Sequence, residues 1–470
     1  DRGGARARRP GRPARATQAS AAAPGLALSG SPGPGYIATS NVSHVLTLPL
    51  DTDSIGARVL PDGDFLLRTA KGVTIYSTEN PALPTPKGFV AVPATPNQER
   101  ENIDTNGEIL VTGQAYDGIL YVVDVRNRTT PTIKSVLRGG ADHTNTCVLD
   151  CTYVYGSEGT IVDLTKPEAP KVAGKWFGGG TEAGIEGVSG SHDLTEVSPG
   201  LLVTASNPTL WLDARENPTQ PTVIARGNLP DKRYMHGMEW PNGGTDRFLL
   251  GGSETSTGCQ AELGTFNVWD TRAVTDLVND PAYERGFETP AFTYTGQYAV
   301  DRGLPTEMEG EAPASQHCGH WFTEHPDFQD GGLVAMAWYT SGVRFIEVLS
   351  DGTVEERGFW QPLPGVSSAA FWVSDDVVWV TDYTGRGIDV LRFKTEAPAE
   401  VDAAAPGRFI EAGSAAEARG AALVNAAHDP SHHSGSVADI TEQWVCEPVG
   451  GTSPTGRPVL AGSLTGGLLR

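Results

Sequence analysis

Short runs of alternating or wholly apolar residues, four to seven long, recur along most of this chain between clusters of Gly, Pro, Asp and Asn. ILVTG, LYVVDV and TIKSVL are followed by TYVYG, TIVDL and KVAGKW. LLVTAS, TLWLDA and TVIARG come next, then RFLLGG, TFNVWD and AFTYTG. GLVAMAW, GVRFIEV and TVEERGF lead to DVVWVTD and GIDVLRF, while DFLLRTA, GVTIYST and KGFVAVP form a weaker first copy. Runs of this length, rich in Val, Ile, Thr and aromatics and bounded by turn formers, predict β-strands. They fall in groups repeating roughly every 40–50 residues, the period of a β-propeller blade.

The expected fold is therefore all-β, a seven-bladed β-propeller. Its last repeat lacks an outer strand after GIDVLRF, and HVLTLPL at 44–50 precedes the first repeat with no partner. Placing that N-terminal strand on the last blade closes the ring and removes an exposed edge. Several third strands end in an acid: Asp124, Asp163, Asp213 and Asp270, with Pro131, Pro167 and Pro218 following three of them. An Asp carboxylate can accept backbone N–H groups in a tight turn, so these acids are expected to build turns.

Four of the 10 histidines open successive repeats: His143, His192, His236 and His320. A residue that opens the first strand of a blade faces the central channel, so four imidazoles are expected to converge on one axis. They are the candidate metal ligands, with copper ahead of zinc or iron because imidazole sites hold it most tightly. Arg100 and Ser368 stand at equivalent places in two other repeats and Gly56 in the first, leaving an open arc. Glu196 and Glu239 follow their histidines closely and can orient imidazoles or serve as rim residues. His317 and His325 lie beside the set. The cluster His428, His432 and His433 sits in a biased tail and carries less weight. A ring of imidazoles bonded to neighbouring acids or water, without metal, is the other reading.

ILYVVDV and TIVDLTKPEAPKVAG resemble the LVIVD-repeat β-propellers over roughly residues 44–394. That resemblance implies the fold and a secreted or cell-surface setting. More loosely, the architecture is similar to that of the selenium-binding protein and methanethiol oxidase propellers. There, histidines serve a copper-dependent oxidation, and no residue carries over from that likeness.

Fifty-seven acids against 35 bases give a net charge of −22, which argues against nucleic acid or an anionic membrane as partner. No apolar stretch is long enough for a membrane-spanning helix. Residues 1–35 are basic, then Ala/Gly/Pro-rich, and read as a leader-like or disordered arm. Residues 36–394 would form the propeller, with an insertion in blade five at about 253–316. Residues 395–470 read as an irregular Ala/Gly/Pro-rich extension.

Cys147 and Cys151 flank a predicted turn, and Cys259 and Cys318 bracket the insertion; two disulfides with Cys446 left over imply an oxidising compartment. The spacing His143-x3-Cys147-x3-Cys151 also admits a soft-metal site. No nucleophile elbow, phosphate loop, dinucleotide fingerprint or HExxH is present. Two functions follow. One is an extracellular metalloprotein, a copper-dependent oxidoreductase acting on a small molecule. The other is a non-catalytic binding, adhesion or scaffold propeller with a surface protein partner.

Overall fold

The computed structural model describes residues 33–50, 52–92, 101, 103–114, 117–177, 191–230, 234–254, 264–280, 283, 289–300, 319–363, 365–395 and 401–407. At 33–34, 234, 363 and 401–407 it describes the backbone alone. Cys259, Cys318, Cys446, Arg100, His317 and the histidines at 428, 432 and 433 lie outside the described residues.

The chain is a seven-bladed β-propeller. Blades one to four are antiparallel meanders running outward from inner strands Ser54–Val59, Ile103–Thr105, Asn145–Val148 and Leu194–Ser198. Tyr234–Glu239, Phe322–Glu324 and Ser367–Trp372 open blades five to seven. The outer strand of blade seven is Val42–Leu48, antiparallel to Ile388–Phe393, as the orphan N-terminal strand led one to expect. Gly387, at φ +119°, permits this closure: a Cβ there would stand 2.0 Å from the Leu48 carbonyl oxygen.

Closure is equally visible in the packing. Each junction between neighbouring blades holds its own apolar cluster. Leu46, Phe65, Trp379 and Ile388 join blades seven and one. Val111, Leu120, Val154 and Val162 join two and three, and Phe248, Phe266, Met336 and Ile346 join five and six. Strands that bury both faces this way account for apolar runs that do not alternate cleanly.

Strands Gly33–Thr39 and Val401–Gly407 add to blade six beyond its own outer strand, Val354–Leu363. Neither belonged to the repeat pattern. Outer strands of blades four and five also touch in parallel, Arg226 beside Ala291 and Gly227 beside Phe292. Within the blade-five insertion, Arg272–Asn279 is a helix that follows the third strand.

The acids that end third strands close turns on themselves. Asp124, Asp163, Asp213 and Asp270 each accept the backbone N–H two residues on, at 3.1, 2.9, 3.1 and 3.0 Å. Among the described residues no helix is long and apolar enough to cross a membrane.

Candidate metal centre

Inner strands of successive blades start at one end of the channel, and there the sequence sets His143, His192, His236 and His320. Blade two contributes Glu101. All five side chains are 5 % exposed or less. One carboxylate collects all four imidazoles. Oε2 of Glu101 lies 3.9, 3.5 and 3.4 Å from Nε2 of His143, His192 and His236, and Oε1 lies 2.9 Å from Nε2 of His320. His143 and His192 bring their Nε2 atoms within 3.0 Å of each other.

The outward-facing nitrogens explain why Nε2 points inward. Nδ1–H of His192 donates to the carbonyl of His236 at 2.9 Å, and Nδ1–H of His320 donates to the carbonyl of Ser368. A neutral imidazole that donates through Nδ1 keeps its lone pair on Nε2, the form that ligates a metal. Burial, aided by His236, holds the His192 imidazolium well below its usual pKa. Burial and His320 lower His236 to about 3 against the pull of Glu101. Both rings are neutral at pH 7. For Glu101, burial pushes the pKa up, but His320 and His236 win and hold it well below the usual carboxylate range.

Lone pairs and a carboxylate thus face one another in a buried site. Such an arrangement repels itself unless a cation, whether protons or a metal ion, lies between. Neither ring nitrogen of His236 makes a hydrogen bond of good geometry among the described residues. Buried imidazole and carboxylate donors without thiolate suit a borderline first-row ion. The triads Glu101–His236–His320, Glu101–His143–His192 and His192–His236–Glu254 each gather donors close enough to hold a metal ion.

Around this set stand groups that the repeat pattern missed. Tyr383 Oη donates to Glu101 Oε1 at 2.9 Å and contacts His320 Nε2 at 2.8 Å. Tyr339 donates to Glu254 Oε1 at 2.5 Å, with its ring 4.9 Å from that of His320. Both tyrosines pack with Ile55 and Val366, so blades one and seven close the arc with apolar surface. Ser368 takes part through its carbonyl, while its hydroxyl donates to the carbonyl of Ser54 at 2.7 Å. Beneath the imidazoles, Trp321 packs edge-on against His236 at 4.8 Å, and the Arg58 guanidinium sits 5.8 Å from its ring.

Other expected site residues stand elsewhere. Glu196 is not an imidazole partner: its Oε1 accepts backbone N–H groups of Leu149 and Gly200, at 2.6 and 2.7 Å. Glu239 lies further along its strand with Arg58, Asp104 and Glu196, lining a cavity of about 460 Å3 that no ring histidine touches. Burial and Glu324 push its carboxyl well above the usual range. His325 bonds the carbonyl of Asp375 at 2.9 Å and meets Trp372 edge-on, on the rim of blade seven. Cys147 and Cys151 are bridged across their turn, which removes both thiolates as ligands.

No family model matches this chain, and no curated protein matches it. Among solved structures it is similar to Chaetomium thermophilum Raptor, with 10% identity and a TM-score of 0.49. That match covers 78% of this chain but only 30% of Raptor's length. It is also similar to the C-terminal WD40 domain of Sif2, at 11% identity and TM-score 0.48, covering 76% of this chain and 99% of that one. The WD40 propeller domain of Doa1 aligns at 11% identity and TM-score 0.45, over 77% of this chain and 100% of that one. These likenesses concern the fold alone.

Proposed function

We propose that this chain is a metalloprotein whose channel holds one first-row transition-metal ion, copper first. We further propose that it uses the ion for redox chemistry on a small molecule in an extracellular setting. The observation that carries this reading is the convergence of four Nε2 atoms on one buried carboxylate, with two rings held in the ligating tautomer. Copper leads because nitrogen-rich sites bind it most tightly among divalent first-row ions. The Cys147–Cys151 bridge supports the extracellular setting.

In this reading His143, His192, His236, His320 and Glu101 hold the ion, which would supply one-electron chemistry when bound. The chain's own groups keep bulk water out through Trp321 on one side and the Tyr339–Tyr383–Ile55–Val366 wall on the other. Carbonyls of His236 and Ser368 fix the orientation of the His192 and His320 rings, so both Nε2 atoms would be set in advance toward an ion.

Metal analysis of untagged protein, followed by copper titration, tests the proposal. About one equivalent should be retained or taken up. His192→Ala, His236→Ala and Glu101→Gln should each weaken binding by more than about 10-fold, the scale that even outer-shell partners command. His428→Ala should change nothing. If wild type and the His192→Ala/His236→Ala double variant take up copper alike, the metal reading falls. The surface-scaffold reading then takes over, supported by the Glu101–His320 ion pair, which protons alone can hold.

A further inference from the structure

We infer that Tyr383 is itself a ligand, its phenolic oxygen completing a coordination shell with Glu101 and His320. The inference rests on the metal reading above. Tyr383 Oη lies 2.9 Å from Glu101 Oε1 and 2.8 Å from His320 Nε2, and those two atoms are 2.9 Å apart. Donors bound at right angles, at about 2.0–2.2 Å from one ion, stand about 2.8–3.1 Å from each other. The triangle has the dimensions of one face of such a shell.

Nδ1 of His320 bonds the Ser368 carbonyl, which turns Nε2 into this triangle. An ion bound there would meet all three atoms together, the phenolic proton leaving to solvent as the oxygen ligates.

Position in the fold agrees. Glu101, His143, His192, His236 and His320 come from blades two to six in order, one from each. Tyr383, just past the second strand of blade seven, continues that series around the ring. Its backbone N–H donates to the Val366 carbonyl at 2.9 Å, which anchors the ring beside Ile55 and Val366. Glu101, His236 and His320 already lie close enough together to hold one ion, and Tyr383 adds a fourth donor from the next blade. Tyr339 is not equivalent, since its hydroxyl is directed to Glu254.

Copper(II) added to the full chain gives the test. Wild type should bind one equivalent and show a visible phenolate-to-copper charge-transfer band. Tyr383→Phe should still bind one copper, about 10-fold more weakly, with the band gone. Tyr339→Phe should keep the band, because its hydroxyl is directed to Glu254. Copper bound by wild type without the band, or a Tyr383→Phe spectrum identical to wild type, overturns Tyr383 as a ligand and leaves the metal reading standing. No copper bound by wild type overturns both.

Discussion

Glu158 carries a clear pH signature away from the imidazole ring. Burial and the nearby Asp142 push its carboxyl up from 4.5 to about 7, with Lys175 opposing. A folded pKa above the unfolded one favours the protonated form, so this contribution to stability is full below pH 4.5 and lost as pH rises through about 7. Glu158→Gln, which cannot ionise, should raise the unfolding free energy at pH 8 by about 1–2 kcal/mol, reduced from the full shift because the side chain is only partly buried. At pH 4 the two proteins should match. Equal thermal midpoints at pH 8 would mean that Glu158 ionises freely in the native state. Neighbouring side chains also mark what could be read at this scale. The four histidines were legible because repeats align them, whereas Glu101 sits in the polar run Gln98-Glu99-Arg100-Glu101, where the register is ambiguous by one. The position three residues on resolves it. Thr146, Thr195 and Thr323 stand three beyond their histidines and reach the next blade's carbonyls at 2.6, 2.7 and 3.0 Å. Asp104, three beyond Glu101, likewise accepts the Cys147 N–H at 2.8 Å, while Arg100 would put Ile103 there.

At the scale of elements, the strand that closes the ring is held by more than its ladder. Asp389, buried on blade seven, accepts His44 Nε2 at 3.0 Å and Thr47 Oγ1 at 2.5 Å from the N-terminal strand, and Arg386 Nε at 2.7 Å from its own turn. Burial alone would raise its pKa, but Arg386 and His44 hold it below the usual range. A depressed carboxyl contributes stability above its unfolded pKa and loses it as pH falls through the folded value. Asp389→Ala strands a buried guanidinium and should cost about 3–5 kcal/mol in denaturant unfolding at pH 7. A change under about 1 kcal/mol would show that backbone pairing alone holds the strand. None of this hub was legible in the sequence. His44 read only as the first letter of an orphan strand, and Asp389 as part of GIDVLRF. Tyr339, Tyr383 and Glu254 were hidden the same way, because strand-end aromatics and acids look like core and turn until the sheet places them over the channel.

At the scale of the whole molecule, seven blades were countable because each repeats one unit, and each unit can bury its faces only against neighbours. The missing fourth strand of the last repeat made the closure legible as well. The strands at 33–39 and 401–407 were not, since each is a single addition to blade six and repeats nothing. The ring also makes stability collective, because the junction between blades seven and one is as apolar as any other. A chain starting at residue 49 would lose Val42 and Leu46, both buried, and would expose Ile388–Phe393 as an open edge. Each buried aliphatic contributes roughly 1.5–3 kcal/mol, and a folded domain commands only about 5–15 kcal/mol in total. The shortened chain should therefore lose its cooperative thermal transition or aggregate through the bare edge. Its imidazole ring should fail with it, since the Ser368 carbonyl that orients His320 belongs to that same blade. Copper binding should vanish even though every proposed ligand is still present. A shortened chain that melts cooperatively at the wild-type midpoint and binds copper alike would show that six blades suffice to hold the seventh.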